Sequence, residues 1–176
     1  HILLAKVNLY NIKPNFEDAE KEARKAIEIN PNSFEALMTL AEVLLFAGRA
    51  GPARQRYHDA TRLNPNYPRA YNLLRGQIEF ELKRYHIAIN YINDACQRNY
   101  EVANRIKCNI YGGATYGYLG ELERGRKMLG RALYPRALTA DQLLSSIETL
   151  VAVRLPFKNR SSQQHLLGGA RKALEN

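Results

Sequence analysis

An internal repeat of about 34 residues constrains the fold of this chain more than any other sequence feature. The clearest copy lies between residues 34 and 65. Its marker residues are Ala53, Tyr57, Ala60 and Pro65, and their counterparts 34 residues earlier are Ala19, Ala23, Ala26 and Pro31. The counterparts 35 residues later are Ala88, Ile92 and Ala95. A further 37 residues on, they are Gly125, Leu129 and Ala132. Periods of about 20 to 50 residues are typical of stacked repeats, because one unit cannot bury its apolar face alone.

Each copy carries the pattern of two helices. In the clearest copy, apolar residues recur at i, i+3, i+4 and i+7, the spacing of one helix face: Leu37, Leu40, Ala41 and Leu44. A second stripe follows at Ala53, Tyr57 and Ala60, and Gly48, Gly51 and Pro52 separate the two stripes. The repeat unit is therefore predicted to be an antiparallel helix pair.

These motifs resemble the tetratricopeptide repeat (TPR). Leu37-x-x-Leu40-Ala41-x-x-Leu44, then Ala53-x-x-x-Tyr57, Ala60 and Pro65, follow its pattern of large-x-x-Leu-Gly-x-x-Tyr, Ala-x-x-x-Phe and a closing Pro. The resemblance implies an all-α fold, an α-α superhelix (TPR solenoid) of about four helix pairs with C-terminal capping helices. The expected boundaries are 1–31, 32–65, 66–99 and 100–135 for the repeats and 136–176 for the cap.

The tail after residue 135 has helical patterns of its own. Thr139 is a predicted N-cap before a stripe of Leu143, Leu144, Ile147, Leu150 and Val151, and Ser161 or Ser162 opens a last helix. We expect both helices to cover the fourth repeat, with Phe157 buried at the corner between them. The alternative is that the tail folds back into the groove of the repeats as an internal ligand.

The resemblance also implies a binding surface, because the first helices of such repeats line a concave groove. By the repeat period, the predicted groove residues are Asn8, Met38, Thr39, Glu42, Phe46, Arg69, Asn72, Glu79, Phe80, Lys107, Tyr111 and Tyr118. Aromatic anchors combined with amide and carboxylate groups suit an extended peptide. The competing interpretation is that about half of these side chains only pack against the next first helix.

The leading functional prediction is a non-catalytic scaffold that binds a segment of another protein, or of its own parent chain. A homodimer is also left open. Chaperone-type repeats clamp a terminal carboxylate, but only Asn8 and Arg69 match the residues of that clamp. A carboxylate clamp is therefore not expected.

Charge suggests a rival function. The net charge is +9, and the excess of basic over acidic residues lies after residue 44. Many of the arginines and lysines lie on second helices, the outer wall of such repeats, and no stacking aromatics are interleaved with them. A solvated outer wall is favoured over a weak nucleic-acid surface.

Chemistry and location are constrained mainly by what the sequence lacks. His1, His58, His86 and His165 have no carboxylate or cysteine partner at ligand spacing, so no catalytic site, metal or cofactor is predicted. Cys96 and Cys108 are interpreted as small buried residues, with a facing pair as the minor alternative, and a reducing cytoplasm is expected. No signal peptide or membrane span is recognised. The first residue, His1, suggests a piece of a longer protein or a tag remnant.

The tail carries a second resemblance. Pro156-Phe157-Lys158 and Leu166-Leu167-x-Gly169-x-Arg171-Lys172-Ala173 are similar to the segment that closes repeat arrays in bacterial nucleotide (adenylate or guanylate) cyclases and related signalling regulators. The chain departs from that pattern at Gly168, Ala170 and Leu174. The resemblance implies a regulatory region of a bacterial signalling protein, with any catalytic domain upstream.

Overall fold

The computed structural model describes residues 1–97, 102–133 and 138–175. The helices are α1 Ile2–Tyr10, α2 Phe16–Ile29, α3 Phe34–Phe46, α4 Ala50–Leu63, a 3-10 turn at Arg69–Tyr71, α5 Asn72–Glu81, α6 Tyr85–Cys96, α7 Val102–Leu119, α8 Leu122–Ala132, α9 Ala140–Arg154 and α10 Arg160–Leu174. Neighbours in sequence pack as pairs, α1 with α2, α3 with α4, α5 with α6 and α7 with α8. The predicted helix pairs are present, whereas the exact repeat boundaries stay a prediction.

The chain forms two compact units. The first unit comprises His1–Pro68 with Arg154–Arg160, and the second comprises Arg69–Val153 with Ser161–Asn176. Each unit has its own core, in which the predicted stripes are buried: Ala19, Ala23, Leu40, Leu44, Ala53 and Tyr57 in the first, and Ile78, Ala88, Ile92, Leu129 and Ala132 in the second.

Three turns between paired helices share one geometry. Gly48, Lys83 and Gly120 occupy the same repeat position and have φ values of 79°, 59° and 76°. At each turn the next residue's N–H donates to the carbonyl five residues back, as in Arg49 to Leu44 at 2.8 Å. This is the hydrogen bonding of a helix that ends in a left-handed residue.

The first turn differs because Pro14 stands where the other turns have their left-handed residue. Proline fixes φ near −65°, so it cannot adopt that conformation. Residues 11–14 instead connect α1 to α2 without a left-handed turn. The Asn15 side chain caps α2 by accepting from the Asp18 N–H at 3.1 Å. One residue thus accounts for the different connection.

Helix caps form at Ser33 and at the predicted Thr139, whereas the last helix begins at Arg160, before the predicted opening at Ser161 or Ser162. Ser33 accepts from the Ala36 N–H at 3.2 Å. Thr139 and Gln142 form a reciprocal capping box, with N–H to side-chain distances of 3.3 and 3.1 Å. The longer fourth copy is explained by its first helix, since α7 has 18 residues and α3 has 13.

The cysteines differ from expectation. Cys96 and Cys108 form a disulfide, with their Cα atoms 5.9 Å apart. The favoured interpretation of two separate thiols is therefore wrong, and the minor alternative of a facing pair is correct. Cys96 ends α6 and Cys108 lies in α7, and the packing of these two helices on each other brings the cysteines together.

Candidate peptide-binding groove

The predicted groove residues do not form one open surface. Seven of the twelve are buried, namely Met38, Thr39, Phe46, Asn72, Glu79, Phe80 and Tyr111. Asn8, Glu42, Lys107 and Tyr118 are half-buried, and Arg69 is exposed. The burial has two sources: packing within the core, and coverage of the aromatic members by the C-terminal segment.

In the first unit the aromatic site centres on Phe46. Its ring makes edge contacts with Tyr10 at 6.2 Å and with Phe157 at 5.6 Å. The Tyr10 hydroxyl also donates to Glu42 at 2.5 Å. Residues from α1, α3 and the tail therefore meet around one predicted groove anchor.

The tail is fixed at this site by its backbone as well. The Lys158 N–H donates to the Phe46 carbonyl at 2.9 Å, and the Lys158 ammonium lies 5.9 Å from the centre of the Phe16 ring. Phe157 is half-buried in this first unit. The expectation that it is enclosed at a corner against the fourth repeat is wrong: the chain turns after α9, with the Phe157 N–H bonded to the Leu155 carbonyl at 2.9 Å, and the Phe157 ring packs on Phe46.

In the second unit a larger aromatic cluster surrounds His165 of α10. The imidazole stacks on Phe80 with centroids 4.6 Å apart and lies 5.1 Å from Tyr118 and 6.0 Å from Tyr85. Tyr85 and Tyr118 stack on each other at 4.7 Å. Two predicted groove residues, Phe80 and Tyr118, are thus covered by the tail.

Polar contacts complete this cluster. The Tyr85 hydroxyl is hydrogen-bonded to Nε2 of His165 at 2.8 Å, and the Tyr118 hydroxyl donates to the His165 carbonyl at 2.8 Å. Nδ1 of His165 lies 3.9 Å from Oε2 of Glu81. His165, which looks isolated in the sequence, therefore has two tyrosines and a carboxylate around it.

The negative charge of Glu81 helps to raise the pKa of three tyrosines, Tyr85, Tyr111 and Tyr118. Burial, the neighbouring Tyr118 and the Glu81 carboxylate together raise the pKa of Tyr85 to about 12. Burial and Glu81 also raise the pKa of Tyr118, and they hold the pKa of Tyr111 well above its usual value despite the opposing effect of Gln77. The hydroxyls are therefore neutral donors at physiological pH.

One buried oxygen of this cluster, Oε1 of Glu81, has no hydrogen-bond partner among the described residues. The Glu81 side chain is only 9% exposed. An unsatisfied buried carboxylate oxygen is costly, so it points to a missing partner.

Further polar residues of α5 and α6 lie close to the predicted groove residues. Arg75 pairs with Glu79 at 2.8 Å, and both side chains are buried. Asp94 accepts from Asn72 at 2.6 Å and pairs with Arg69 at 3.2 Å. Two predicted groove residues, Asn72 and Arg69, are therefore engaged with α6.

The sequence analysis missed Glu81, Tyr85 and His165. Glu81 ends α5 and Tyr85 begins α6, on either side of the turn between the two helices. One signal was available, since Arg75, Gln77, Glu79 and Glu81 stand at every second position of one first helix. So much polarity in a buried helix is a sign of a polar site.

The described residues contain no group of His, Cys, Asp and Glu that could hold a metal ion. Within the same ranges, none of the helices has the length and apolar character that crossing a membrane requires.

The comparisons with known proteins agree with the fold. Residues 15–78 match the family model described as tetratricopeptide repeat. The crystal structure of MamA is similar over 90% of this chain and 86% of that chain, with a TM-score of 0.57 and 16% sequence identity. A search of curated proteins finds no match. The predicted all-α tetratricopeptide fold is confirmed, whereas neither match supports the resemblance of the tail to cyclase regulators.

Proposed function

We propose that this tetratricopeptide repeat protein is a non-catalytic scaffold that binds a peptide segment of another protein, or of its own parent chain, on the first helices of its repeats. The fold supports the coarser statement, because tetratricopeptide repeats bind proteins and are generally not catalytic. The finer statement rests on one observation: both aromatic sites already hold side chains of a polypeptide segment. Phe157 contacts Phe46 in the first unit, and His165 stacks on Phe80 in the second.

These contacts support peptide recognition for a physical reason. Aromatic rings supply large contact area at a low cost in side-chain entropy, and nearby amide and carboxylate groups can satisfy a peptide backbone. Asn8 and Glu42 are half-buried on the first helices of the first unit and keep part of their surface accessible. They are the residues best placed to contact a partner without being needed for the core.

The test is selection of a displayed random-peptide library on the full chain, followed by affinity measurement of the enriched peptides. Asn8→Ala combined with Glu42→Ala is expected to weaken binding by about 1 kcal/mol or more, roughly fivefold. Phe46→Ala is unsuitable because Phe46 is 1% exposed and its loss would disturb the core. Lys25→Ala, at an exposed position of α2, is the matched control.

Selection of no binding peptide, or equal losses in the groove variant and the Lys25 control, would contradict the proposal. The rival nucleic-acid surface is tested with a generic DNA duplex at about 50 mM salt, where phosphate contacts are strong. Several outer-wall arginines are already paired with carboxylates, for example Arg56 with Asp59 at 3.1 Å and Arg124 with Glu121 at 2.7 Å. We therefore expect no duplex binding.

The biological setting remains part of the proposal. The sequence suggests a bacterial signalling protein that works in the cytoplasm, and the repeats are compatible with such a role. The Cys96–Cys108 disulfide, in contrast, favours an oxidising compartment. The redox state of these two cysteines therefore distinguishes between the two locations.

A further inference from the structure

We propose that the aromatic site of the second unit, formed by Phe80, Tyr85, Tyr118 and Glu81, is a receptor for an arginine side chain of the partner, and that His165 fills it when no partner is bound. The proposal rests on the function proposed above and names the chemistry of the partner at one site. The site is defined by these four residues and is called the arginine site below.

The walls of the arginine site suit a flat cation. Phe80 offers a ring face, on which the planar imidazole of His165 already stacks at 4.6 Å. Tyr118 and Tyr85 add two further rings, 5.1 and 6.0 Å from that imidazole. A cation within about 6 Å of several aromatic rings is attracted by their negative faces, and a planar guanidinium can also stack on them.

The Glu81 carboxylate forms the polar end of the arginine site, and His165 does not satisfy its hydrogen-bonding capacity. Nδ1 stops 3.9 Å from Oε2 of Glu81, which is longer than a hydrogen bond. Oε1 of Glu81 has no hydrogen-bond partner in the described ranges. The imidazole of His165 therefore does not satisfy the Glu81 carboxylate, whose side chain is only 9% exposed.

Arginine matches what His165 leaves unsatisfied. Its guanidinium presents two parallel N–H groups that can bond both oxygens of one carboxylate, which imidazole cannot do. Its side chain is longer and its charge is permanent. Lysine carries a compact charge without a flat face, so the stacking surface of Phe80 favours arginine over lysine.

His165 can leave the site while the rest of α10 stays in place. The helix is anchored downstream, where a Cβ on Gly117 would lie 2.0 Å from the Gly169 carbonyl and a Cβ on Gly125 would lie 2.7 Å from Ala173. His165 is followed directly by the buried Leu166 and Leu167, so α10 stays packed while the imidazole leaves by rotation about its own side-chain torsions. The His165 side chain is 16% exposed, so it already borders solvent.

The experiment uses the full chain with His165→Ala, which empties the site. The probe is N-acetyl-arginine methylamide, and N-acetyl-citrulline methylamide is the uncharged control of the same shape. Titrations are followed by the NMR signals of the Tyr85 and Tyr118 rings. We expect the arginine compound to bind about tenfold more tightly than the citrulline compound.

Glu81→Gln in the same background tests the carboxylate. It is expected to reduce the preference for arginine over citrulline to less than about twofold, because only the charge-assisted bonds are lost. In the protein with His165 intact, the arginine compound should bind more weakly, since the imidazole competes, and should shift the His165 ring signals.

Equal binding of the two compounds, unmoved tyrosine signals at about 100 mM probe, or an arginine preference that survives Glu81→Gln would each overturn the proposal. If His165→Ala does not fold, the titration of the unchanged protein decides, through movement or constancy of the His165 signals. The two proposals fail separately. Library peptides that bind in an Asn8- and Glu42-dependent way without arginine selectivity leave the scaffold standing, and probe binding without any library peptide leaves only the arginine site.

Discussion

At the scale of single residues, Lys83 is the non-glycine residue with a positive φ in the part of the chain that the structure describes. It has a φ of 59°, in the left-handed region where a side chain costs about 1 to 2 kcal/mol. The equivalent positions of the neighbouring turns hold Gly48 and Gly120, which accept this conformation readily. The turn is therefore kept despite an unfavourable residue.

Lys83→Gly should stabilise the protein. Relief of the left-handed strain exceeds the extra flexibility of glycine in the unfolded chain, so we expect the free energy of unfolding to rise by about 0.5 to 1 kcal/mol in urea titrations. Lys83→Ala is the control, since it removes the charge and keeps the Cβ. An equal gain from alanine would show that charge, and not backbone strain, is responsible.

Single residues also show which features of the structure the sequence could predict. Ser33 and Thr139 were predictable as caps because a cap depends on a few adjacent residues. The coverage of Phe46 and Phe80 was not predictable, since it depends on Phe157 and His165, far away in sequence. Local chemistry can be read directly, whereas the accessibility of a groove residue depends on the whole fold.

At the scale of helices, α10 depends on close approach to α7. A Cβ on Gly169 would lie 2.5 Å from the Ala114 carbonyl and 2.8 Å from the Tyr118 ring. Because a backbone carbonyl cannot swing aside as a flexible side chain can, even one methyl group should force the helices apart. The glycines of α7 serve the same close packing, since a Cβ on Gly117 would lie 2.0 Å from the Gly169 carbonyl.

Gly169→Ala is expected to lower the free energy of unfolding by about 1 to 3 kcal/mol, the usual cost of overpacking. Gly130→Ala is the matched control, because Gly130 lies in α8 with nothing within 4 Å of its Cβ position. The control should stabilise by about 0.4 to 1 kcal/mol through helix propensity. Thermal and urea unfolding of both variants test the contrast, and a neutral or stabilising Gly169→Ala would refute the packing of α10 on α7.

At the scale of the whole molecule, the disulfide links α6 to α7 and changes the redox environment in which the protein is expected to work. Cys96 and Cys108 are separated by 12 residues, so the bond closes a short loop. Each cysteine lies near a helix stripe, which favoured two small buried residues over a bonded pair. The pairing depends on the distance between α6 and α7, which the sequence does not contain.

Purified without reductant, the protein should show no reactive thiol when denatured, and two after reduction. Replacing both cysteines by serine should lower the free energy of unfolding by about 2 to 3 kcal/mol, mainly by freeing the unfolded chain. Reduction of the unchanged protein should give a similar loss. Two titratable thiols in the oxidised preparation would instead support the reducing cytoplasm expected from the sequence.

The continuity of the tail links the two aromatic sites. Phe157 and His165 are eight residues apart in one uninterrupted stretch, so each returns to its site from a high effective concentration, of millimolar order for a short tether. A ligand that displaces only one of them competes against rapid intramolecular rebinding. A partner must therefore supply, at each site separately, more than the tethered contact that it replaces. The tail would thus set a threshold of affinity below which a passing peptide is not retained.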